Sequence, residues 1–330
     1  MRSGLDRRWM PKMALSASLI HILSADLSIR KMSQFAVVAI SLAFLFTPIH
    51  SSAQDGQPSV LIVTAHPDDD ALFAATVYRF ATELGGKVDL ALMTDGAGGY
   101  RYSTLAEPYY HLKLTDPAVA KEYLPGIRKR ELMAGGKIVG VRDYHFFDQP
   151  DTGYTQNPDS ILSYVWNTTI VEEGLEDIFA RHHYDFVLTM LPRSDTHAHH
   201  KSATILALRT VSRMPVAERP VVLGAWIGGK DDAAKLEYTT LPGYPITEAT
   251  TTNPQFFFDR TRPLGLDGRL DYRIVVNWLI AEHKSQGTMQ LLMNRGEVES
   301  FWIYAVDAPD ATQKAAQFFE KLNNFTARSN

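Results

Sequence analysis

The sequence predicts an open, doubly wound α/β domain with a mainly parallel sheet and helices on both faces. Short, almost continuously apolar stretches recur along the chain, such as "SVLIVTA" (59–65) and "YDFVLTM" (184–190). Longer segments with helical character separate these stretches. Strands that are apolar on both faces are typical of a parallel sheet covered on each side. Right-handed crossovers then wind such a sheet in both directions.

The same alternation of apolar stretches and helical segments predicts the strands and helices in chain order. The sequence predicts strands at 59–65, 87–94, 144–147, 184–190, 220–227 and 301–306. It predicts helices at about 70–84, 126–139, 160–182, 199–213, 272–293 and 311–323. Two stretches, near 100–124 and 230–271, fit neither pattern and are expected to be insertions at the rim of one domain. Unstructured loops of such length are often functional.

The first 53 residues are expected to lie outside the domain, which then spans 54–330. Arg30 and Lys31 precede the apolar run "FAVVAISLAFLF", and the small residues "SSAQ" follow it. This order is typical of a signal peptide, here with cleavage after Ala53 and an upstream extension if Met1 rather than Met32 is the start. The run is shorter than the roughly 20 apolar residues of a membrane span, although an uncleaved anchor is the alternative. The pattern predicts export to the periplasm or the medium.

Composition narrows the chemistry of any site. The 330-residue chain carries a net charge of −4 and no cysteine. The absence of cysteine excludes disulfides, thiolate metal sites and a cysteine nucleophile, and leaves histidines and carboxylates as ligands. The slightly acidic balance and the lack of a long basic run argue against nucleic acid as the main partner.

Polar clusters follow three of the predicted strands. They are "AHPDDD" after the first strand, "DGAGG" after the second and "DTHAHH" after the fourth. In open parallel sheets, ligands bind beyond the carboxyl ends of the strands. The histidines and aspartates of two such ends can therefore meet, which predicts a metal site.

A catalytic zinc ion has three protein ligands and one open position. His66, one aspartate of the first turn and one histidine of "HAHH" would supply the ligands. Either Asp68 or Asp69 would bind the metal, while the other would face the open position and take a proton from water. In "DGAGG", Asp95 is a candidate beside backbone N–H groups that can cradle an anion, although a plain tight turn also explains the stretch.

At these residues the sequence resembles the LmbE-like / PIG-L family of zinc-dependent N-acetylglucosamine deacetylases. The motif A-H-P-D-D-E of that family is matched by Ala65 to Asp70, and its H-x-D-H motif is matched by His197 to His200. Two weaker stretches, "IRKREL" and "AEHKSQ", look like its R-x-x-E helix and its H-x-S-Q segment. The chain departs from the family at Asp70, where the family has Glu, and at His199, where it usually has Asp.

The resemblance implies a Rossmann-like fold and a role for each motif residue. It implies that zinc is bound by His66, Asp69 and His200, and that Asp68 is the general base. His197 would stabilise the oxyanion or protonate the leaving amine, with Asp195 orienting its ring, and Arg128 would contact substrate or product acetate.

The sequence therefore predicts an exported zinc amidohydrolase that removes an acetyl group from an N-acetylated sugar of the N-acetylglucosamine type or a related glycoconjugate. A metal-dependent phosphoesterase is one alternative, weakened because no clear second carboxylate cluster is present for a second metal. The other alternative is a catalytically silent carbohydrate-binding relative, which would need neither Asp68 nor His197.

Overall fold

Seven strands form one central sheet in the computed structural model, which describes residues 58–324. The predicted signal peptide lies outside the described residues. The strands found in the described part are β1 (Ser59–Thr64), β2 (Lys87–Thr94), β3 (Asp143–Gln149), β4 (Phe186–Met190), β5 (Val221–Gly228), β6 (Phe256–Asp259), β7 (Pro263–Gly265), β8 (Leu270–Asp271) and β9 (Val298–Ile303). The order in the sheet is β3-β2-β1-β4-β5-β9-β6, and β7 and β8 form a separate hairpin.

The first five strands of the sheet are mutually parallel, which confirms the predicted fold class. Only β9 runs against its neighbours β5 and β6. Because β3, β2, β1 and β4 are adjacent and parallel, their carboxyl ends lie at the same edge of the sheet. The polar clusters predicted from the sequence all follow strands of this group.

Helices flank the sheet. They are α1 (Ala74–Tyr78), α2 (Glu107–Tyr110), α3 (Pro117–Val139), α4 (Pro158–Ser160), α5 (Thr168–Arg181), α6 (Ala198–Arg213), α7 (Lys230–Ala233), α8 (Arg273–Glu282), α9 (Gly287–Gln290) and α10 (Ala311–Asn324). A 3₁₀ turn over Asp69–Leu72 leads into α1, and a π turn over Arg79–Glu83 continues it. The predicted helix 70–84 is therefore present in position but changes its winding twice.

Both expected insertions contain regular structure. Helix α3 begins nine residues earlier than predicted, because the side chain of Asp116 accepts hydrogen bonds from the backbone N–H groups of Ala118 and Val119. An aspartate cap followed by proline at the first helical position is a standard start signal, so the sequence also carries the earlier start. In the segment 230–271, the stretch "QFFF" supplies most of β6, which pairs with β9 at the edge of the sheet.

The core lies on both faces of the sheet. Val60 and Ile62 of β1 pack into one apolar cluster, with residues of α1, α8 and α10. Leu61 and Val63 pack into the other, with residues of α5 and α6. Alternate residues of a strand point to opposite faces, so the unbroken apolar run reflects two buried faces. Within residues 58–324, none of the helices combines the length and apolar character that crossing a membrane requires.

Candidate metal centre

The three side chains expected to bind zinc meet at the carboxyl ends of β1 and β4. His66 Nδ1 lies 2.9 Å from His200 Nε2, and Asp69 Oδ1 lies 3.1 Å from the same nitrogen. Asp69 Oδ2 lies 3.7 Å from His66 Nδ1. Zinc bonds of about 2.0–2.2 Å in a tetrahedron place donor atoms roughly 3.4 Å apart. The donor types and their spacing therefore fit a zinc ion.

Backbone groups of the first turn fix the carboxylate of Asp69. Its Oδ2 accepts hydrogen bonds from the N–H of Ala65 at 3.0 Å and of His66 at 2.8 Å. Burial opposes the charged form of Asp69, but His200 and His66 outweigh it and hold the pKa of this carboxyl well below its usual range. Thr196 Oγ1 lies 2.9 Å from His200 Nδ1, which leaves Nε2 of that ring for the metal.

The second nitrogen of His66 faces another group of donors. Its Nε2 lies 3.0 Å from His199 Nδ1, and one ligand atom each of His66, His197 and His199 lie within 4.8 Å of one another. Two sets of possible metal ligands thus share His66. The set with Asp69 and His200 is the one that the family resemblance implies.

Burial opposes the cationic ring of His66, but the carboxylates of Asp151 and Asp69 outweigh it and raise its pKa to about 9. A proton and a metal ion therefore compete for this ring, and binding of the metal would release a proton.

The Nδ1 atom of His197 accepts a hydrogen bond from the backbone N–H of His199 at 3.0 Å, which caps α6. Burial and the neighbouring rings of His66 and His199 lower the pKa of His197 to about 3. The ring is therefore neutral at neutral pH and carries its proton on Nε2. A neutral N–H donor suits an oxyanion better than it suits proton delivery to an amine.

Asp195 does not orient His197, contrary to the prediction. Its carboxylate accepts hydrogen bonds from Arg193 Nε at 3.0 Å and Arg193 Nη2 at 3.1 Å, and it is mostly exposed. The ring of His197 is held instead by the backbone of its own helix.

Arg128 is buried, so it is not part of a solvated helix face. Its Nη2 donates to Asp68 Oδ1 at 2.7 Å, and its Nη1 donates to the carbonyl oxygen of Gly96 at 2.9 Å. The arginine therefore fixes the carboxylate predicted to be the base. That Arg128 contacts substrate or acetate stays a prediction.

The glycines of "DGAGG" make room for this arginine. Gly96 has φ +74°, a left-handed conformation that favours glycine. A Cβ on Gly99 would lie 2.8 Å from Gln286 Oε1 and 3.0 Å from Arg128 Nη1. Asp95 Oδ1 accepts a hydrogen bond from the N–H of Ala97 within the same turn, and burial raises the pKa of Asp95. A substrate-binding role for Asp95 stays a prediction.

Asp151 is not among the predicted site residues, although its side chain is buried at the centre of the site. Its Oδ1 lies 3.7 Å from His66 Nε2 and 3.5 Å from His199 Nδ1, and its Oδ2 lies 3.7 Å from Arg128 Nη1. Burial opposes its ionisation, but these neighbours lower its pKa to about 2. Asp151 follows the carboxyl end of β3, so the rule that drew attention to the other strand ends also pointed to it.

The side chain of Asp70 does not cap the helical turns that begin near it. Its Oδ1 lies 2.8 Å from His283 Nε2, and both residues are buried. Likewise Ser285 donates from its N–H and its Oγ to Glu131, at 2.9 Å and 2.6 Å. The stretches "IRKREL" and "AEHKSQ" thus contact each other through Glu131 and Ser285. Both also contact the turn after β1, through Arg128 and His283.

A comparison with protein families bears directly on this arrangement. The model described as "PIG-L: GlcNAc-PI de-N-acetylase" matches residues 61–211, which contain all the expected ligands. Over residues 61–211 this chain is therefore similar to the PIG-L family. The remaining stretch of the site, "AEHKSQ", lies beyond this match.

Individual relatives of the PIG-L segment include a "Probable N-acetyl-alpha-D-glucosaminyl L-malate deacetylase 2" of Bacillus cereus, which is 28% identical over 163 residues. The match covers 49% of this chain and 65% of that protein. Among solved structures, N,N'-diacetylchitobiose deacetylase from Pyrococcus horikoshii is 16% identical, with coverage of 84% and 94% and a TM-score of 0.47. The 4-carboxy-2-hydroxymuconate hydratase GalB from Pseudomonas putida is 15% identical, with coverage of 75% and 96% and a TM-score of 0.44.

Proposed function

We propose that this chain is an exported, zinc-dependent deacetylase of N-acetylated sugars of the N-acetylglucosamine type or of related glycoconjugates. One observation carries the proposal: a buried arginine binds the carboxylate of Asp68, which precedes Asp69 of the triad His66, Asp69 and His200 in the same turn. Such a pairing of a zinc triad with a separate, oriented base suits hydrolysis of an amide. The PIG-L match supports the same chemistry.

A bound zinc ion would supply Lewis acidity that polarises the acetyl carbonyl and lowers the pKa of water. Asp68 takes the proton of the attacking water, and the hydrogen bond from Arg128 holds its carboxylate in place. The neutral ring of His197 donates its Nε2–H to the carbonyl oxygen as negative charge develops there. Asp68 then returns its proton to the leaving nitrogen as the C–N bond breaks, which releases acetate and the free amine.

Acetate release from a panel of N-acetylated sugars, measured together with zinc content, tests the proposal. We expect Asp68→Asn to lose about 10²- to 10⁴-fold in turnover, because the base is removed, while zinc content stays at the wild-type level. His200→Ala is expected to lose zinc, because one of three protein ligands is missing. Asp177→Asn, at an exposed position of α5, is the matched control and should change neither quantity.

Wild-type turnover by Asp68→Asn would rule out this residue as the base. Zinc-loaded wild-type protein that releases no acetate from any sugar of the panel would contradict the deacetylase proposal. An arm with phosphate esters tests the phosphoesterase alternative under the same conditions.

Export is supported by the amino-terminal pattern alone. Fractionation of cells that express the full chain, followed by amino-terminal sequencing of the mature protein, tests it. We expect a mature protein that begins at Gln54 outside the cytoplasm. A cytoplasmic protein that retains its first residues would contradict export.

A further inference from the structure

His199 occupies the position at which the resembled family usually has an aspartate, and its surroundings indicate what replaces that carboxylate. The ring is fully buried and stacks on Trp166, with centroids 5.4 Å apart and an interplanar angle of 19°. Its Nδ1 faces His66 Nε2 at 3.0 Å, and its Nε2 faces Thr152 Oγ1 at 3.2 Å. Both nitrogens of the ring therefore have a polar partner inside the site.

The proton positions follow from the metal ligand. If His66 binds zinc through Nδ1, its other nitrogen carries a proton and must donate it. The nearest acceptor for that proton is His199 Nδ1. His199 must then be the tautomer protonated on Nε2, which donates to Thr152. The chain of hydrogen bonds is complete from the metal ligand to the loop after β3.

Asp151 supplies the negative charge that a neutral histidine lacks. Its Oδ1 lies 3.7 Å from His66 Nε2. This distance is too long for a hydrogen bond, but the carboxylate still attracts a positive charge on the ring, because electrostatic interactions are weakly screened in a buried site. Its other oxygen lies 3.7 Å from Arg128 Nη1, so the carboxylate lies between the arginine and the ring of His66. A single aspartate would provide both the hydrogen-bond acceptor and the negative charge. In this chain His199 provides the acceptor and Asp151 provides the charge.

We propose that His199 and Asp151 together are positioning residues for the zinc ligand His66: His199 accepts the Nε2–H of His66, and Asp151 stabilises the positive charge that the ring gains from the metal. This inference rests on the proposed zinc-dependent function, because it requires a metal on His66 Nδ1. Outer partners of this kind typically change metal affinity by about 10- to 100-fold.

Two variants of nearly equal shape test whether His199 acts by accepting a hydrogen bond or only by packing. In His199→Asn, Oδ1 takes the place of the ring Nδ1 and can accept the same proton. In His199→Leu, a methyl group stands there. Both variants lose the stacking on Trp166 to a similar extent, so any difference between them reports the acceptor. Zinc dissociation constants from competition with a chelator are the measurement, and no substrate is needed.

We expect His199→Leu to bind zinc about 10- to 100-fold more weakly than wild type and His199→Asn to stay within a few-fold of wild type. Asp151→Asn should weaken zinc binding as well, and the double variant Asp151→Asn/His199→Leu should lose less than the sum of the two free energies. Asp148→Asn, near the end of β3 and half exposed, is the control and should bind zinc like wild type.

The competing assignment is that His199 is itself a metal ligand. X-ray absorption at the zinc edge distinguishes the two, because the proposal requires two imidazole ligands and one zinc ion per chain in both wild type and His199→Asn. Three imidazoles or a second zinc ion in wild type would overturn it, as would equal zinc affinities of His199→Asn and His199→Leu. Wild-type protein that binds no zinc would overturn the proposed function along with it, so the two failures can be told apart.

Discussion

At the scale of single residues, three adjacent carboxylates serve three partners. Asp68 binds Arg128, Asp69 faces His200 and the backbone of its own turn, and Asp70 binds His283. Each is thus close to a cationic group or to N–H donors, which offsets the repulsion expected of three aspartates in sequence. Burial raises the pKa of Asp70 despite the opposing effect of His283. Of the three aspartates, Asp70 is the one with no proposed part in metal binding or catalysis.

An exposed tyrosine at the site leads to a prediction about substrate binding. The ring of Tyr154 lies edge-on to His197, with centroids 5.0 Å apart, and Gln156 Nε2 donates to its hydroxyl group at 2.9 Å. An exposed, held aromatic ring offers an apolar surface to a sugar ring. We expect Tyr154→Ala to raise KM about tenfold, equivalent to about 1.4 kcal/mol, and to leave kcat within a few-fold.

Tyr154→Phe is the matched control, because it keeps the ring and loses only the hydroxyl group. Its KM should stay near that of wild type. An unchanged KM in Tyr154→Ala for every accepted sugar would contradict a contact between this ring and the substrate.

At the scale of elements, the site is assembled from the ends of four adjacent strands. The turn after β1 brings His66, the turn after β2 brings Gly96 and the loop after β3 brings Asp151. The segment after β4 brings His200 on the first turn of α6. Because these strands are parallel neighbours, segments far apart in sequence reach one place without long loops.

Close contact between two of these segments predicts the effect of a single methyl group. A Cβ on Gly98 would lie 2.6 Å from both the backbone oxygen and Oδ1 of Asp151. We expect Gly98→Ala to displace Asp151, to lower the free energy of unfolding by about 1–3 kcal/mol and to weaken zinc binding. Denaturant unfolding and chelator competition measure the two effects.

Gly153→Ala provides the control, because a Cβ on Gly153 would have no atom within 4 Å. It should leave both stability and zinc affinity near the wild-type values. If Gly98→Ala matched this control, the contact between the glycine-rich turn and Asp151 would not matter for the site.

At the scale of the whole molecule, we expect one buried carboxyl to make stability depend on pH. Asp307 lies after β9, and its Oδ1 accepts a hydrogen bond from the N–H of Val222 on β5 at 3.0 Å. Its Oδ2 is buried without a hydrogen-bond partner among residues 58–324. Burial raises the pKa of Asp307 to about 8. The folded state therefore prefers the neutral carboxyl.

The sign of the pH dependence follows from the raised pKa. Between about pH 4 and pH 8 the unfolded chain has already lost this proton while the folded chain still holds it, so stability falls as pH rises through that range. Asp307→Asn keeps the acceptor for Val222 and removes the ionisation. We expect a higher Tm than wild type at pH 8, by several degrees, and a difference that shrinks toward pH 4.

Thermal unfolding across this pH range is the measurement. Asp310→Asn is the control, because Asp310 is exposed and should give the same Tm difference at every pH. A Tm difference for Asp307→Asn that does not change with pH would contradict the buried neutral carboxyl.

Much of this protein could be predicted from the sequence because the relevant signals are local. Apolar runs separated by helical segments were enough for the parallel sheet, since strands buried on both faces need apolar residues throughout. The clusters around His66 and His200 stood out because each directly follows a strand. Helix α3 was placed too late, because its start depends on one cap at Asp116 rather than on a long pattern.

The tertiary structure decided what depends on partners that are distant in sequence. Asp151 approaches His66 from the loop after β3, and His283 reaches Asp70 from the end of α8. Asp195 accepts hydrogen bonds from Arg193 instead of contacting His197, because the guanidinium group of Arg193 lies only two residues away on the surface. The strand-end rule indicates which segments come together at the edge of the sheet, but a single sequence does not indicate which charged side chains pair there. The sequence by itself determined the fold class and the chemistry of the ligands, and the packing of parallel strand ends determined which side chains hold them in place.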